Sequence, residues 1–432
     1  MRGSLLVSVT GRRPRRWLRV VTDVRPLRHS ADFRRLWFGQ TVAQLGQQMA
    51  AVTIAYQVYT LTRSSFAVGL VGLYALVPLV AFGLYGGALL DVMDRRRVAL
   101  VASAGLWLMS LALLAQAVLD LRSVGVLYAV VAVQSGCFAV VNAARSAIIP
   151  KLLPPDLLPA ANALTMASFN LGFTVGPLLG GVLIAWQGVG WAYAIDVVAF
   201  TASLYALVRL PPMHPDNATG RPPGLGAVVD GLRFLRRAPN LRMTFVLDLC
   251  AMVLAQPRAV FPALALTVYV GGASTLGLLQ AAPAIGSLVA FALSGWIGHV
   301  HRHGLAIAVA VVCYGLAVAA AGAAAIGLPG LLWLGVTFLA LSGSADMVSA
   351  AYRSTMLQAA APDEMRGRLQ GVFTVVVAGG PRLGDFLAGS LADLTTDTWA
   401  VALGGCACIT GVVVACALQP RFLRYDARAP VP

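Results

Sequence analysis

Apolar residues gather into twelve long runs, at about 36–62, 66–90, 98–119, 124–144, 161–185, 190–209, 243–269, 275–297, 305–326, 330–351, 368–391 and 398–418. Each is near the roughly 20 residues that an α-helix needs to cross a bilayer. None alternates with the period of a half-buried strand, so each reads as a helix. Most breaks are short turns marked by Gly, Pro or charge. The exception is Leu210 to Arg242, rich in Pro, Gly and Arg, which reads as a linker between two sets of six helices.

Composition agrees with the pattern. The chain has 432 residues, 59% hydrophobic and only 11% charged. An average soluble protein is about 25% charged, so this chain has too little polar side chain to cover a soluble surface. Disorder is excluded as well, because disordered chains are poor in apolar residues. The six cysteines lie in apolar runs without the spacing of a zinc or redox site, and read as packing residues. Neither a metal nor a cofactor is expected.

The net charge of +15 would suggest nucleic acid in a soluble protein. Here it sorts by topology. Of the 32 basic residues, 28 fall on one side if twelve helices alternate, including the tail before residue 36, Arg95 to Arg97, Arg145 and Lys151. Arg63 and Arg122 fall on the other side, and Arg258 and Arg382 lie inside spans. The positive-inside rule then places both termini and the linker in the cytoplasm. The basic excess needs no nucleic-acid partner.

The chain also repeats itself at an offset of 208. Arg34 matches Arg242, Ala144-Arg145-Ser146 matches Tyr352-Arg353-Ser354, and Pro154 matches Pro362. Gly172, Gly176 and Gly181 match Gly380, Gly384 and Gly389. The expected fold class is therefore all-α integral membrane, with 12 transmembrane helices in two pseudo-symmetric six-helix bundles. The expected units are an Arg-rich tail (1–27), a first bundle (28–210), a linker (211–242), a second bundle (243–418) and a short tail (419–432). Folds built from such halves place their substrate near the bilayer midplane between them.

Two motifs carry more than topology. The turn after the second helix reads Gly87-Ala-Leu-Leu-Asp91-Val-Met-Asp94-Arg95-Arg96-Arg97. It is a tight loop whose carboxylates can cap a helix or pair with an arginine. The fifth helix carries Gly172-Phe-Thr-Val-Gly176-Pro177-Leu-Leu-Gly180-Gly181, whose small residues let another helix approach closely. The first motif resembles the loop 2–3 signature of the major facilitator superfamily, with Asp94 in place of the usual glycine, a change compatible with a left-handed residue. The second resembles that superfamily's antiporter signature. Arg28 to Trp37, Gly231 to Arg236 and Thr355 to Arg368 resemble the branch that holds the enterobactin exporter and macrolide efflux proteins. The resemblance spans about residues 26–420.

The resemblance implies a secondary exporter rather than an enzyme. It would be multi-pass in the cytoplasmic (inner) membrane, monomeric among membrane lipids, and would exchange a small-molecule substrate such as a siderophore or hydrophobic drug for protons by alternating access. It implies a conformational latch of Gly87, Asp91, Arg95, Arg96 and Arg145. The second copy, Gly295 to His303, lacks the carboxylate, and His299, His301 and His303 read as a solvated turn. Within the spans, Asp248 and Asp346 are the proton-coupling candidates. Asp248 is expected about five residues, or about 7.5 Å, into the seventh helix, and Asp346 at a similar depth in the tenth. Gln40, Gln44, Gln47, Gln134, Asn142 and Arg258 are the cavity candidates. Gln40, Gln44 and Gln47, with Gln48, form a stripe on one face of the first helix, while Gln134 and Asn142 lie on the fourth. Interhelical hydrogen bonding and ligand contact both fit that stripe. Arg382 and Asp385 have the spacing of a local ion pair, and Arg258 is expected near the far end of its helix. The fourth helix lacks the arginine that many antiporters of the superfamily place there. An importer of a small nutrient and a lipid-flipping protein of the same fold are the rivals.

Overall fold

The computed structural model describes residues 23–213, 225–328 and 330–428, without the side chains of 84–92 and of several residues near 225–228 and 363–374. Among the described residues the chain is helical, and ten segments are long and apolar enough to cross a membrane. Two more helices, Ala31–Thr62 and Asp363–Leu394, have 32 residues each, about 48 Å at 1.5 Å per residue. With these two, twelve segments have spanning length.

The first six are α1 (Ala31–Thr62), α2 (Ser65–Val92), α3 (Arg95–Val118), α4 (Val124–Leu152), α5 (Leu158–Gln187) and α6 (Val189–Val208). The second six are α7 (Pro239–Val268, interrupted), α8 (Gly272–Ala292), α9 (His303–Gly327), α10 (Leu332–Ala360), α11 (Asp363–Leu394) and α12 (Asp397–Leu418). An amphipathic helix, Leu225–Arg237, precedes α7. The Arg-rich tail before residue 23 and linker residues 214–224 lie outside the described residues.

Local chemistry fixes the helix ends. Ser30 caps α1 by accepting from Phe33 N at 3.1 Å. Arg63 closes that helix in a left-handed conformation, φ 54°. Thr396 caps α12 through Trp399 N. Such caps satisfy backbone donors that would otherwise be orphaned. Asp94 departs from the sequence expectation. It is not left-handed; at φ −57° and ψ 120° it is the N-cap of α3, accepting from Arg97 N at 3.1 Å. Its other oxygen accepts from Met213 N at 3.1 Å, which ties the start of the linker to this turn. His303 also departs from a solvated turn: it is buried at the start of α9, with its ring 4.9 Å from that of Tyr352.

Helices pack where side chains vanish. In hydrocarbon there is little solvent-driven attraction between apolar helices, so close backbone approach and dispersion carry the association. A Cβ at Gly39 would stand 2.9 Å from Ala206 Cβ, and one at Gly46 2.8 Å from Ala199 Cβ, so α1 lies directly on α6. The contacts that join the two sets of helices follow the same rule. On α2, a Cβ at Gly69 or Gly72 would stand 2.6 Å from the α11 carbonyls of Asp385 or Arg382. Gly389 of α11 is equally tight on Ser65 O. Gly181 of α5 faces Gly277 of α8, with a Cβ 3.0 Å from its Cα. Ser65 Oγ donates to Asp397 Oδ1 between α2 and α12. These joining contacts lie toward the face opposite the arginine-rich turns, near the short loops at Arg63 and Gly188.

A side chain at Gly181 must push α8 away, whereas one at Gly226 of the amphipathic helix meets nothing within 4 Å. Gly181→Val is expected to destabilise the detergent-solubilised protein by about 1–3 kcal/mol. Gly226→Ala is expected to change stability by no more than about 0.5 kcal/mol. Thermal unfolding of both variants checks the difference, and equal melting would remove the packing role given to Gly181.

Candidate transport site

The seventh helix is not the continuous span that its hydropathy suggests. Regular α-helix covers Pro239–Leu249. A π-helical stretch follows over Cys250–Leu254, Ala255 leaves helical geometry at φ −124° and ψ 27°, and a 3-10 turn restarts the chain at Arg258. The cause is in the sequence. Pro257 has no N–H to donate and pushes Gln256 away from helical dihedrals. The break frees the Ala255 carbonyl, and the Tyr314 hydroxyl of α9 donates to it at 3.2 Å. Buried Gln256 packs against α11 at Gly384, where an added Cβ would stand 2.7 Å from its Cβ. Interrupted helices inside membranes are tolerated where the freed polar groups find partners or line a cavity.

Charges cluster around this break. Arg353 of α10 pairs with Asp248 of α7 and, at 3.3 Å, with Asp346 on its own helix. The two carboxylates differ in access: the Asp248 side chain is 4% exposed and that of Asp346 36%. Arg353 itself is enclosed, so one guanidinium balances one sealed and one open carboxylate. Arg258, at the restart of α7, and Arg382 and Asp385 of α11 are further charges on these helices, and among the described residues none of the three has an ion-pair partner within 4.0 Å. Isolated charges in hydrocarbon are costly, and Arg353 with its two aspartates is the pairing the structure shows.

Three details differ from the sequence expectation. Asp248 lies nine residues, about 14 Å, from the start of α7, and Asp346 lies 14 residues, about 21 Å, from the end of α10. Both are deeper than expected because the helices extend past their apolar runs. Arg258 is followed by ten more residues of the interrupted segment, so it lies within the span rather than near its end. Arg382 donates to Ala378 O at 2.9 Å one turn back, and no ion pair with Asp385 within 4.0 Å is formed. The signals missed were Pro257 and Tyr314. Pro257 was readable from the sequence; the hydroxyl of Tyr314, 59 residues from the Ala255 carbonyl it donates to, was not.

The cavity candidates of the first six helices are all uncharged amides. Gln40 and Gln44 are buried, while Gln47, Gln134 and Asn142 are half-buried. Gln44 and Gln48 are seated against the glycine motif of α5. A Cβ at Gly172 would stand 2.5 Å from Gln44 Cγ, and one at Gly176 2.6 Å from Gln48 Cβ. Gly180 rests on Met49, and Pro177 lies inside α5 with its carbonyl against Gly277. The motif therefore packs α5 on α1 along one face and on α8 along the next. Asp196 of α6 is sealed and accepts from Ser110 of α3 at 2.6 Å, a structural role. Gln57, Gln116 and Tyr193 form a further network that hydropathy did not reveal, with Tyr193 Oη donating to Gln57 Oε1 at 2.8 Å.

Of the latch candidates, Gly87 and Asp91 lie among the side chains outside the description. The arginines around them are engaged with backbone. Arg95 donates to Ala147 O of α4 at 3.1 Å. Arg96 donates to Leu207 O and Val208 O at 3.3 and 2.6 Å, at the end of α6. Guanidinium groups at helix C-termini satisfy orphan carbonyls and oppose the dipole. Arg145 is half-buried in α4 and donates to Asn142 Oδ1 at 3.4 Å.

Among the described residues the molecule is a bundle of helices of spanning length that meet at glycines, with one interrupted helix. Solved structures bear this out at the level of fold. The chain matches a POT family transporter in complex with 5-aminolevulinic acid (TM-score 0.74, 10% identity, 91% of this chain and 97% of that one). It also matches a bacterial homologue of the iron transporter ferroportin in its inward-facing state (TM-score 0.68, 15% identity, 91% and 98%). Residues 21–429 match the family described as transmembrane secretion effector, and the chain belongs to that family of the major facilitator superfamily, whose members are transporters and not enzymes. Among its relatives are the enterobactin exporter EntS of Citrobacter koseri, 29% identical over 93% of this chain and 94% of the relative. The enterobactin exporter EntS of Shigella boydii serotype 18 is 29% identical over 86% and 88%.

Arg353→Gln strands a sealed Asp248 and is expected to cost about 3–5 kcal/mol, the usual penalty for breaking a buried pair. Adding Asp248→Asn to that variant is expected to recover most of the loss. Melting of the two single variants and the double variant tests this, and strictly additive effects would show that the pair is not coupled.

Proposed function

We propose that this protein exports an amphiphilic small molecule by alternating access, driven by proton antiport. It acts as a monomer in the bacterial cytoplasmic membrane, with both termini and the arginine-rich turns in the cytoplasm. The observation that carries the reading is the shared guanidinium of Arg353, set between sealed Asp248 and open Asp346. A carboxylate that both meets solvent and pairs with a buried cation can take up and release a proton. When Asp346 is protonated, Arg353 is left to Asp248 alone, and the charge that substrate meets on this wall changes by one. Protonation and substrate binding are then linked through one site, which is what reciprocal coupling requires.

The seams of glycine supply the moving parts. They bring α2 on α11 and α5 on α8 backbone to backbone at Gly69, Gly72, Gly181 and Gly277, which suits rocking of one set of six helices against the other. The arginines that tie α3 to the ends of α4 and α6 keep the first set rigid on the cytoplasmic face, the place of the latch. Gln40, Gln47, Gln134 and Asn142 offer uncharged hydrogen-bonding groups opposite the charged wall. Such a cavity accommodates a ligand with many polar groups on an apolar frame. Similarity to enterobactin exporters over most of the chain makes a siderophore the first candidate substrate, with hydrophobic drugs second.

Two measurements test the reading. Under iron limitation, a deletion strain is expected to lose a siderophore from its medium and to accumulate it inside, with restoration on complementation. Matching profiles would remove the siderophore assignment. In proteoliposomes, Asp346→Asn is expected to slow proton-driven export at least about tenfold, a barrier change of about 1.4 kcal/mol, while substrate exchange without a gradient persists. Unchanged proton-driven export in this variant would end the role given to Asp346.

A further inference from the structure

The two sets of helices meet at the face opposite the arginine-rich turns. Among the described residues, two apolar clusters at the arginine-rich face each stay within one set. Phe33, Leu157 and Leu164 pack together in the first, and Leu241, Leu357 and Leu369 in the second. At the far face the clusters mix. Val58, Tyr59 and Val68 of the first set pack with Ala259 and Ala263 of α7, and Ile184 and Ala192 join the core of the second set. The start of α2 is held from two sides in this closure. The Ser65 carbonyl lies against Gly389 of α11, and the Phe66 ring stands 6.0 Å from that of Phe386. The Ser65 hydroxyl donates to Oδ1 of Asp397, the first residue of α12. This bond differs in kind from the contacts around it. Apolar contact has no direction, while a hydrogen bond weakens steeply outside a narrow range of distance and angle. Its acceptor is a carboxylate at a helix N-terminus, where the dipole favours the charge, so the bond is charge-assisted.

We propose that the hydrogen bond from Ser65 to Asp397 is the latch of a gate at the far face. It holds α2 to α12 while the far face is closed, and it breaks when that face opens to release substrate. The latch presupposes alternating access and does not depend on the proton assignment. Two features suit a bond that must break and reform in every cycle. It joins the first residues of two helices from different sets, where rocking of the sets carries the partners furthest apart. Asp397 is also half-buried at the end of its helix, so water replaces the hydroxyl once α2 leaves. Asp248 is the contrary case: it is sealed, and parting it from Arg353 would strand a charge in hydrocarbon. The Ser65 bond therefore biases the closed state without locking it.

Distances between genetically encoded spin labels at Leu121 and Leu331, exposed in the far loops after α3 and α9, report opening of this face in the full-length protein. A hydrogen bond to a charged group shifts an equilibrium by about tenfold or more. The ratio of far-open to far-closed molecules is therefore expected to rise at least about tenfold in Ser65→Ala and equally in Asp397→Ala. The double variant is expected to rise no further than either single one, because the same bond is lost in all three. Asp397→Asn keeps an acceptor oxygen and is expected to rise less, and it serves in place of the alanine variant if that one does not fold. A ratio unchanged in the single variants would overturn the latch, as would effects that simply add in the double variant. A single distance that no variant alters would overturn alternating access together with the latch, whereas two populations in a fixed ratio would end the latch alone.

Discussion

The structure depends on one constraint: a charge inside a membrane must have a partner. Arg353 is the clearest case. It is buried on α10, and its guanidinium is held by Asp248 from α7 and Asp346 from its own helix. Remove that arginine and a sealed carboxylate is stranded between two helices. The break in α7 obeys the same constraint for backbone: Tyr314 of α9 donates to the carbonyl of Ala255 that the break exposes.

The two sets of six helices answer this constraint differently. Arg145 and Arg353 occupy equivalent positions under the internal repeat, as do Gln40 and Asp248. The first set thus has a neutral amide where the second has a carboxylate, and Arg145 hydrogen-bonds Asn142 instead of forming the shared pair. The two sets meet through glycine contacts, where an added Cβ would run into the backbone of the facing helix. Side chains meet there too: the Phe66 ring of α2 lies 6.0 Å from that of Phe386 on α11, and Ser65 donates to Asp397.

Much of this was legible in the chain. The all-helical membrane fold follows from hydropathy, because lipid excludes charge and leaves backbone no partners but its own. Gly172, Gly176, Gly180 and Gly181 were legible as a packing motif, and the structure adds which helices they meet. Asp94 was misread, because one sequence position cannot tell a left-handed turn residue from an N-cap. Asp248 and Asp346 were legible as buried charges, but their depth was underestimated, since helices run on past the end of their apolar stretch. Pro257 was a visible warning of a break in α7.

The sequence by itself determined what must be buried and what must be paired, since these follow from the free energy of each side chain in hydrocarbon. It could not determine the pairings. Arg353 could have served Asp346 alone at two turns' distance, and only the placement of α10 beside α7 brings Asp248 to the same guanidinium. Tyr314 reaches Ala255 across 59 residues of chain. Gly181 and Gly277 meet because α5 and α8 cross there. Each of these contacts joins segments far apart in sequence, and their geometry is fixed by the packing of whole helices, which no local pattern of residues encodes.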